Sequence, residues 1–223
     1  MHRKSLKGVL LDVDGTLIDS NDAHAASFVE AFAAEGISVD FDRVRALIGM
    51  GGDKLFPVLG IEPRSKAGEK AARAKKEIFR ERYLPELRAF PAARDLLDHM
   101  KRRGLELVVA SSASTEELRG LLKQGSIEHL MDDQSSADDA EASKPDPDII
   151  LAAIARSTFE REDLVMLGDT PYDVEAATRA GVPIVALRCG GWSDEDLKGA
   201  VEVYDGPQDL LAHFDESYFG TRA

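Results

Sequence analysis

The apolar run Leu6 to Leu11 ends directly in Asp12-Val13-Asp14-Gly15-Thr16. Two carboxylates at the tip of a buried strand repel each other, and a low local dielectric sharpens that cost. Something must compensate, and a bound cation does so directly. Period-two alternation points Asp12 and Asp14 to one side if strand geometry persists to Asp14.

The chain has 223 residues, enough for a sizeable core or for one main domain with a smaller one. Its 41 acidic and 28 basic residues give a net charge of -13, which argues against a nucleic-acid partner. The longest apolar stretches fall far below the roughly 20 residues needed to span a bilayer. No apolar targeting segment follows Met1-His2-Arg3-Lys4. No membrane partner and a cytoplasmic location are therefore expected. The lone Cys189 rules out an internal disulfide, fits a reducing compartment and reads as a small buried hydrophobe. The acidic stretch Asp132 to Glu141 reads as a solvated loop.

Strands are expected at Leu6–Leu11, Leu105–Ala110, Leu164–Leu167, Pro183–Leu187 and Val201–Tyr204. Helices are expected at Ser20–Glu35, Ala92–Arg103, Ser114–Gln124, Asp146–Ile154, Tyr172–Arg179 and Pro207–Phe214. Ser114 suits a helix cap, with Glu117 in the reciprocal position. Between the first two strands, Asp42–Ile48, Lys54–Leu59 and the charged Lys66–Tyr83 are helical in character and contain no convincing strand. The chain therefore reads as α/β: a Rossmann-like, three-layer parallel sheet with an inserted α-helical cap. The expected division is residues 1–17 and 88–223 as core and 18–87 as cap.

Ligands collect at the carboxyl ends of parallel strands. Asp12 and Asp14 end the first strand, Ser111 and Ser112 the second, and Gly168-Asp169 a later one, with Asp173 four residues on. Lys144, held by Pro145, precedes another helix. Asp12 and Asp169 suit Mg²⁺, with Asp14 contributing its backbone carbonyl. Asp12 is the best nucleophile toward phosphorus, and Asp14 the acid and then the base. Ser111 and Lys144 suit the transferring phosphoryl oxygens. Ser112 competes with Ser111 as a phosphate ligand. Asp173 suits orienting Lys144 or a metal-bound water; as a first-turn acid it also favours its helix dipole. Gly15 gives backbone clearance near phosphate, and Thr16 stabilises the turn or approaches the nucleophile.

These four elements, Asp12-Val13-Asp14-Gly15-Thr16, Ser111, Lys144-Pro145 and Gly168-Asp169-Thr170-Pro171-Tyr172-Asp173, resemble the motifs of the haloacid dehalogenase superfamily. The resemblance covers nearly the whole chain and implies Mg²⁺, an aspartyl-phosphate and a mobile cap. An aspartate at position 14 implies phosphate transfer rather than dehalogenation or phosphonate cleavage. Asp19-Ser20-Asn21-Asp22-Ala23-His24 is similar to the same segment in phosphoglycolate phosphatase-like and β-phosphoglucomutase-like enzymes. Arg188-Cys189-Gly190-Gly191-Trp192 is closer to the phosphatase type. Gly49-Met50-Gly51-Gly52-Asp53-Lys54 would face the active site from the cap.

The leading expectation is a Mg²⁺-dependent phosphatase acting on a small phosphorylated metabolite. A sugar-phosphate mutase and a noncatalytic interaction protein are the rivals. Lys54, Arg45 and His24 are candidate substrate contacts; as ordinary residues, Lys54 is a solvated lysine and His24 a packed polar group. The sequence leaves the substrate and the oligomeric state open, with a monomer favoured.

Overall fold

The computed structural model describes residues 5–222, so Met1-His2-Arg3-Lys4 lies outside the described residues. Its strands are β1 (Gly8–Leu11), β2 (Glu106–Ala110), β3 (Asp133–Ser135), β4 (Leu164–Gly168), β5 (Ile184–Leu187) and β6 (Glu202–Tyr204). All pair in parallel, in the order β3-β2-β1-β4-β5-β6. Strand order reverses on either side of β1, which puts the switch point of the sheet at the carboxyl end of β1. Leu11 aligns with Val109 of β2 and Leu167 of β4, so the three strands end level with one another.

Alternate strand residues feed two cores. Val9, Leu11, Val109 and Leu167 pack beneath α5 (Ala93–Arg102), α6 (Thr115–Gln124) and α9 (Pro207–Ala212). Leu10, Val108, Met166 and Ile184 pack against α7 (Asp148–Arg156) and α8 (Pro171–Ala180). Helices on both faces explain why the strands read as continuous apolar runs rather than alternating ones. The result is the expected three-layer α/β architecture.

Between β1 and α5 lie four α-helices: α1 (Asn21–Ala34), α2 (Phe41–Arg45), α3 (Gly52–Val58) and α4 (Lys66–Ile78). They enclose an apolar cluster of their own, built on Phe32, Val44, Leu55 and Phe56. The Phe32 and Phe56 rings meet edge to face at 5.1 Å. Burying each such side chain contributes about 1.5–3 kcal/mol, so this region carries its own stabilisation.

Several local expectations are corrected. Part of the acidic stretch is not a loop: Asp133–Ser135 pairs with Val108–Ala110 as edge strand β3. Its residues carry no hydrophobic pattern: backbone pairing and polar contacts, among them Ser135 Oγ donating to the Val109 carbonyl at 3.0 Å, place it. The helix expected at Asp146 begins at Asp148, after Pro147. The long helix expected to Tyr83 keeps α-helical geometry to Ile78 and widens through Phe79–Tyr83. No helix among the described residues is long and apolar enough to cross a membrane.

Candidate active site

The carboxyl ends of β1 and β4 deliver Asp12 and Asp169 to one point, and α8 adds Asp173. One carboxylate oxygen from each lies within 4.8 Å of the others. All three residues are buried. Lys144 enters from the loop before α7, with Nζ 2.6 Å from Asp12 Oδ1 and 2.8 Å from Asp173 Oδ1. The other Asp173 oxygen accepts from the Thr170 hydroxyl at 2.7 Å and the Thr170 amide at 3.0 Å. The first-turn acid of α8 thus caps its helix and orients the lysine at once.

The Thr16 hydroxyl lies 2.7 Å from Asp169 Oδ1 and 3.0 Å from Asp12 Oδ2. Asn21 Nδ2 donates to Asp169 Oδ2 at 3.1 Å and to the Gly190 carbonyl at 3.3 Å. Arg45 of α2 donates to the same carbonyl at 2.7 Å and pairs with Asp22. The carboxylate after β4 is therefore tied through Asn21 and Gly190 to the inserted helices.

This cluster has the charge and shape to hold a divalent cation. Three buried carboxylates face one buried ammonium, which would leave two negative charges in excess with all three ionised. A Cβ on Gly190 would sit 1.7 Å from Asp169 Oδ2, and one on Gly15 would sit 2.3 Å from it. Both glycines let the backbone approach that buried oxygen closely, and Gly15 also adopts φ +78°. Asn21 Oδ1 is buried without a hydrogen-bond partner among the described residues. Such orphaned acceptors in native sites mark a place for water or an ion.

Without a cation, burial pushes the Asp12 carboxyl up to about 7, against the pull of Lys144 and with reinforcement from Asp173 and Asp14. Burial, with Asp12 and Asp173 nearby, likewise raises Asp169 well above the ordinary carboxylate value. For Lys144 burial works the other way, but Asp12 and Asp173 outweigh it and hold the ammonium charged.

The Asp14 side chain leaves this cluster and faces the inserted helices. Its Oδ1 accepts from the Ser20 hydroxyl and lies 2.8 Å from His24 Nε2. Burial alone would raise its pKa; His24 and Ser20 outweigh burial and hold it below the ordinary value. His24 Nδ1 lies 3.1 Å from Lys75 Nζ. An ammonium can only donate, so Nδ1 accepts and Nε2 carries the proton toward Asp14. Lys75 Nζ also reaches both oxygens of Glu117, each at 3.0 Å. It sits over the Phe79 ring at 4.7 Å, and that ring stacks on His24 at 4.1 Å.

Asp12, Asp14, His24, Ser112, Lys75 and Glu117 line a cavity of about 90 Å³, roofed by Ile48–Gly52. Ser112 Oγ is buried there without a hydrogen-bond partner among the described residues. Ser111 is buried beside it and accepts the Ala113 amide at 3.1 Å. The structure does not bring Lys54 to this cavity: its ammonium pairs with Asp146 of the loop after Lys144. Arg45 is likewise held at the rim by Asp22 and Gly190. Half-buried Cys189 donates its Sγ–H to the Gly15 carbonyl at 3.2 Å, and burial raises its thiol.

Sequence reasoning missed Asn21, Lys75 and Glu117. Lys75 had a signal: it lies four residues from Ala71 and from Phe79, on the buried stripe of its helix. Glu117 was read as the partner of a helix cap. Ser114 does accept the Glu117 amide, but the carboxylate crosses to Lys75 of α4.

The family of haloacid dehalogenase-like hydrolases matches residues 9–187. A phosphoglycolate phosphatase of Rhodospirillum rubrum is 29% identical, over 89% of this chain and 87% of its own. A hydrolase of Pseudomonas syringae is 30% identical with a TM-score of 0.88, covering 94% of this chain and 98% of its own. CbbY of Rhodobacter sphaeroides, solved in complex with phosphate, is 26% identical with a TM-score of 0.79, covering 94% of this chain and 99% of its own.

Proposed function

The chain belongs to the haloacid dehalogenase-like hydrolase family, and from that premise we propose that it is a Mg²⁺-dependent phosphatase that hydrolyses a small phosphate monoester through an aspartyl-phosphate on Asp12. The observation that carries this reading is the separation of two neighbouring carboxylates. Asp12 lies in the ion cluster with Lys144, and Asp14 lies against His24 at the cavity wall.

Asp12, Asp169 and the Asp14 carbonyl would hold Mg²⁺, whose charge would offset that of the phosphoryl oxygens. The Asp12 carboxylate attacks phosphorus, and the bond to the ester oxygen breaks. Asp14 enters this step protonated from solvent, against the pull of His24 and Ser20, and passes that proton to the departing alkoxide. Water then attacks the phosphorus of the aspartyl-phosphate. Asp14 takes a proton from that water, the Asp12–phosphorus bond breaks and inorganic phosphate leaves. His24 and Ser20 hold the Asp14 carboxylate in place for both steps. Lys144 and the Ser111 and Ser112 hydroxyls stabilise the phosphoryl oxygens, with Gly15 and Thr16 shaping the loop beneath them. Asp173 orients Lys144.

In this reading residues 18–87 act as the cap over a core formed by 1–17 and 88–223. Closure excludes bulk water during transfer, and opening releases product. A cytoplasmic monomer acting on small phosphorylated metabolites fits this reading. The test is a Mg²⁺-dependent phosphate-release screen over two-carbon, three-carbon and hexose phosphates, with isomer products analysed in parallel. Phosphate release supports hydrolysis. Isomer formation that requires a sugar bisphosphate replaces it with a mutase reading, and no turnover across the panel rejects both.

A further inference from the structure

Among the described residues, no lysine or arginine lining the active-site cavity is free of a partner, and Lys76 lines the cavity that adjoins it. With the phosphoryl group at Asp12, the rest of a substrate must extend among Phe28, Met50, Lys75, Ala113 and Glu117. Lys75 is the one lysine or arginine lining this cavity among the described residues. Its three N–H donors are matched by three acceptors: Glu117 Oε1 and Oε2 at 3.0 Å each, and His24 Nδ1 at 3.1 Å. The Phe28 and Phe79 rings lie against the same ammonium, at 5.2 and 4.7 Å. Lys54 and Arg45 are spent on Asp146 and Asp22 outside the lining. The wall thus presents Asp12, Asp14 and Glu117 against one paired ammonium.

The Lys75–Glu117 pair also joins α4 of the inserted region to α6 of the core. An anionic leaving group could claim Lys75 only by displacing His24 or Glu117 from it, and in either case it would sit beside the Glu117 carboxylate. A hydroxyl, in contrast, can donate to Glu117 and leave the pair intact.

We infer that Glu117 selects against anionic leaving groups, so that the substrate class is small phosphate monoesters of uncharged, hydroxylated alcohols. This deepens the phosphatase reading of the same site and rests on it. Discrimination comes from a repulsive element in the wall rather than from the size of the cavity.

The test compares matched esters with Mg²⁺: 2-hydroxyethyl phosphate against 2-phosphoglycolate, and glycerol 3-phosphate against 3-phosphoglycerate, with p-nitrophenyl phosphate as a generic ester. The expected kcat/KM of the wild-type enzyme is at least about tenfold higher for the hydroxyl member of each pair. Glu117→Gln releases Lys75 and narrows each ratio by about tenfold, through faster turnover of the anionic member. Each ratio is measured within one protein, so a reduced folded fraction in the variant cancels. Wild-type preference for the anionic ester, or ratios unmoved by Glu117→Gln, overturns the inference. Hydrolysis of p-nitrophenyl phosphate with none of the four matched esters also overturns it while sparing the phosphatase reading. Failure to hydrolyse any ester, the generic one included, overturns both.

Discussion

Asp12 Oδ1 and Lys144 Nζ stand 132 residues apart in the chain and meet at 2.6 Å, with side chains 9% and 1% exposed. Removing one partner of a buried pair leaves an uncompensated charge and costs about 3–5 kcal/mol. Lys144→Met should therefore destabilise the metal-free protein by about that amount in urea unfolding at pH 8, and Mg²⁺ should restore part of the loss. A cost below about 1 kcal/mol would mean that the ammonium does not balance the three carboxylates.

Mg²⁺ binding should be linked to protons. In the metal-free protein Asp12 titrates at about 7, and Asp169 lies well above its ordinary value. Both must lose protons to hold a cation. Apparent affinity should fall as pH drops through 7, by about tenfold per pH unit for each proton displaced. The stability sign agrees. A carboxyl raised from 3.8 to about 7 on folding contributes stability that is fully present below 3.8 and lost as pH rises through 7. The rise in Tm on adding Mg²⁺ should therefore be larger at pH 8 than at pH 6. Calorimetric titration in buffers of different ionisation heat reads the proton release, and a pH-independent affinity with no release would contradict it.

Asn21 should act on the metal through Asp169. Its amide holds Asp169 Oδ2 at 3.1 Å and reaches no other carboxylate among the described residues. Asn21→Ala should weaken Mg²⁺ binding by about 10–100-fold, the usual effect of losing a hydrogen bond behind a metal ligand. The readout is the Mg²⁺ dissociation constant of the folded variant. An unchanged constant would show that Asp169 is held adequately by Thr16 alone.

Asp14→Asn should lower the rates of both chemical steps by about 10²–10⁴-fold, the range typical of a lost general acid–base. Rapid-quench measurement of phosphoenzyme formation and decay separates the two steps. Rates equal to wild type in both would remove Asp14 from the chemistry.

The strand ends were legible in the sequence because parallel-sheet geometry forces them together: Asp12, Ser111 and Asp169 each follow an apolar run that can only be a buried strand. Lys144 and Asp173 were legible from their place just before and just after helix starts. Lys75 and Glu117 were not, for a different reason. Each sits in a helix rich in charge, where Lys70, Lys76 and Glu116 look the same in one dimension. Only the packing of α4 across the cleft from α6 singles them out. Strand β3 was hidden because an edge strand of Asp, Gln and Ser is fixed by backbone pairing and polar side-chain contacts, which leave no hydrophobic pattern.

The central claim is that phosphorus becomes bonded to Asp12. Wild-type enzyme quenched in acid during Mg²⁺-dependent turnover should carry one phosphoryl group on the peptide containing Asp12, by mass spectrometry. Asp12→Asn should carry none and lose at least about a thousandfold in kcat while keeping its fold. A phosphorylated peptide elsewhere in the chain, or an Asp12→Asn enzyme that turns over at the wild-type rate, would contradict the account.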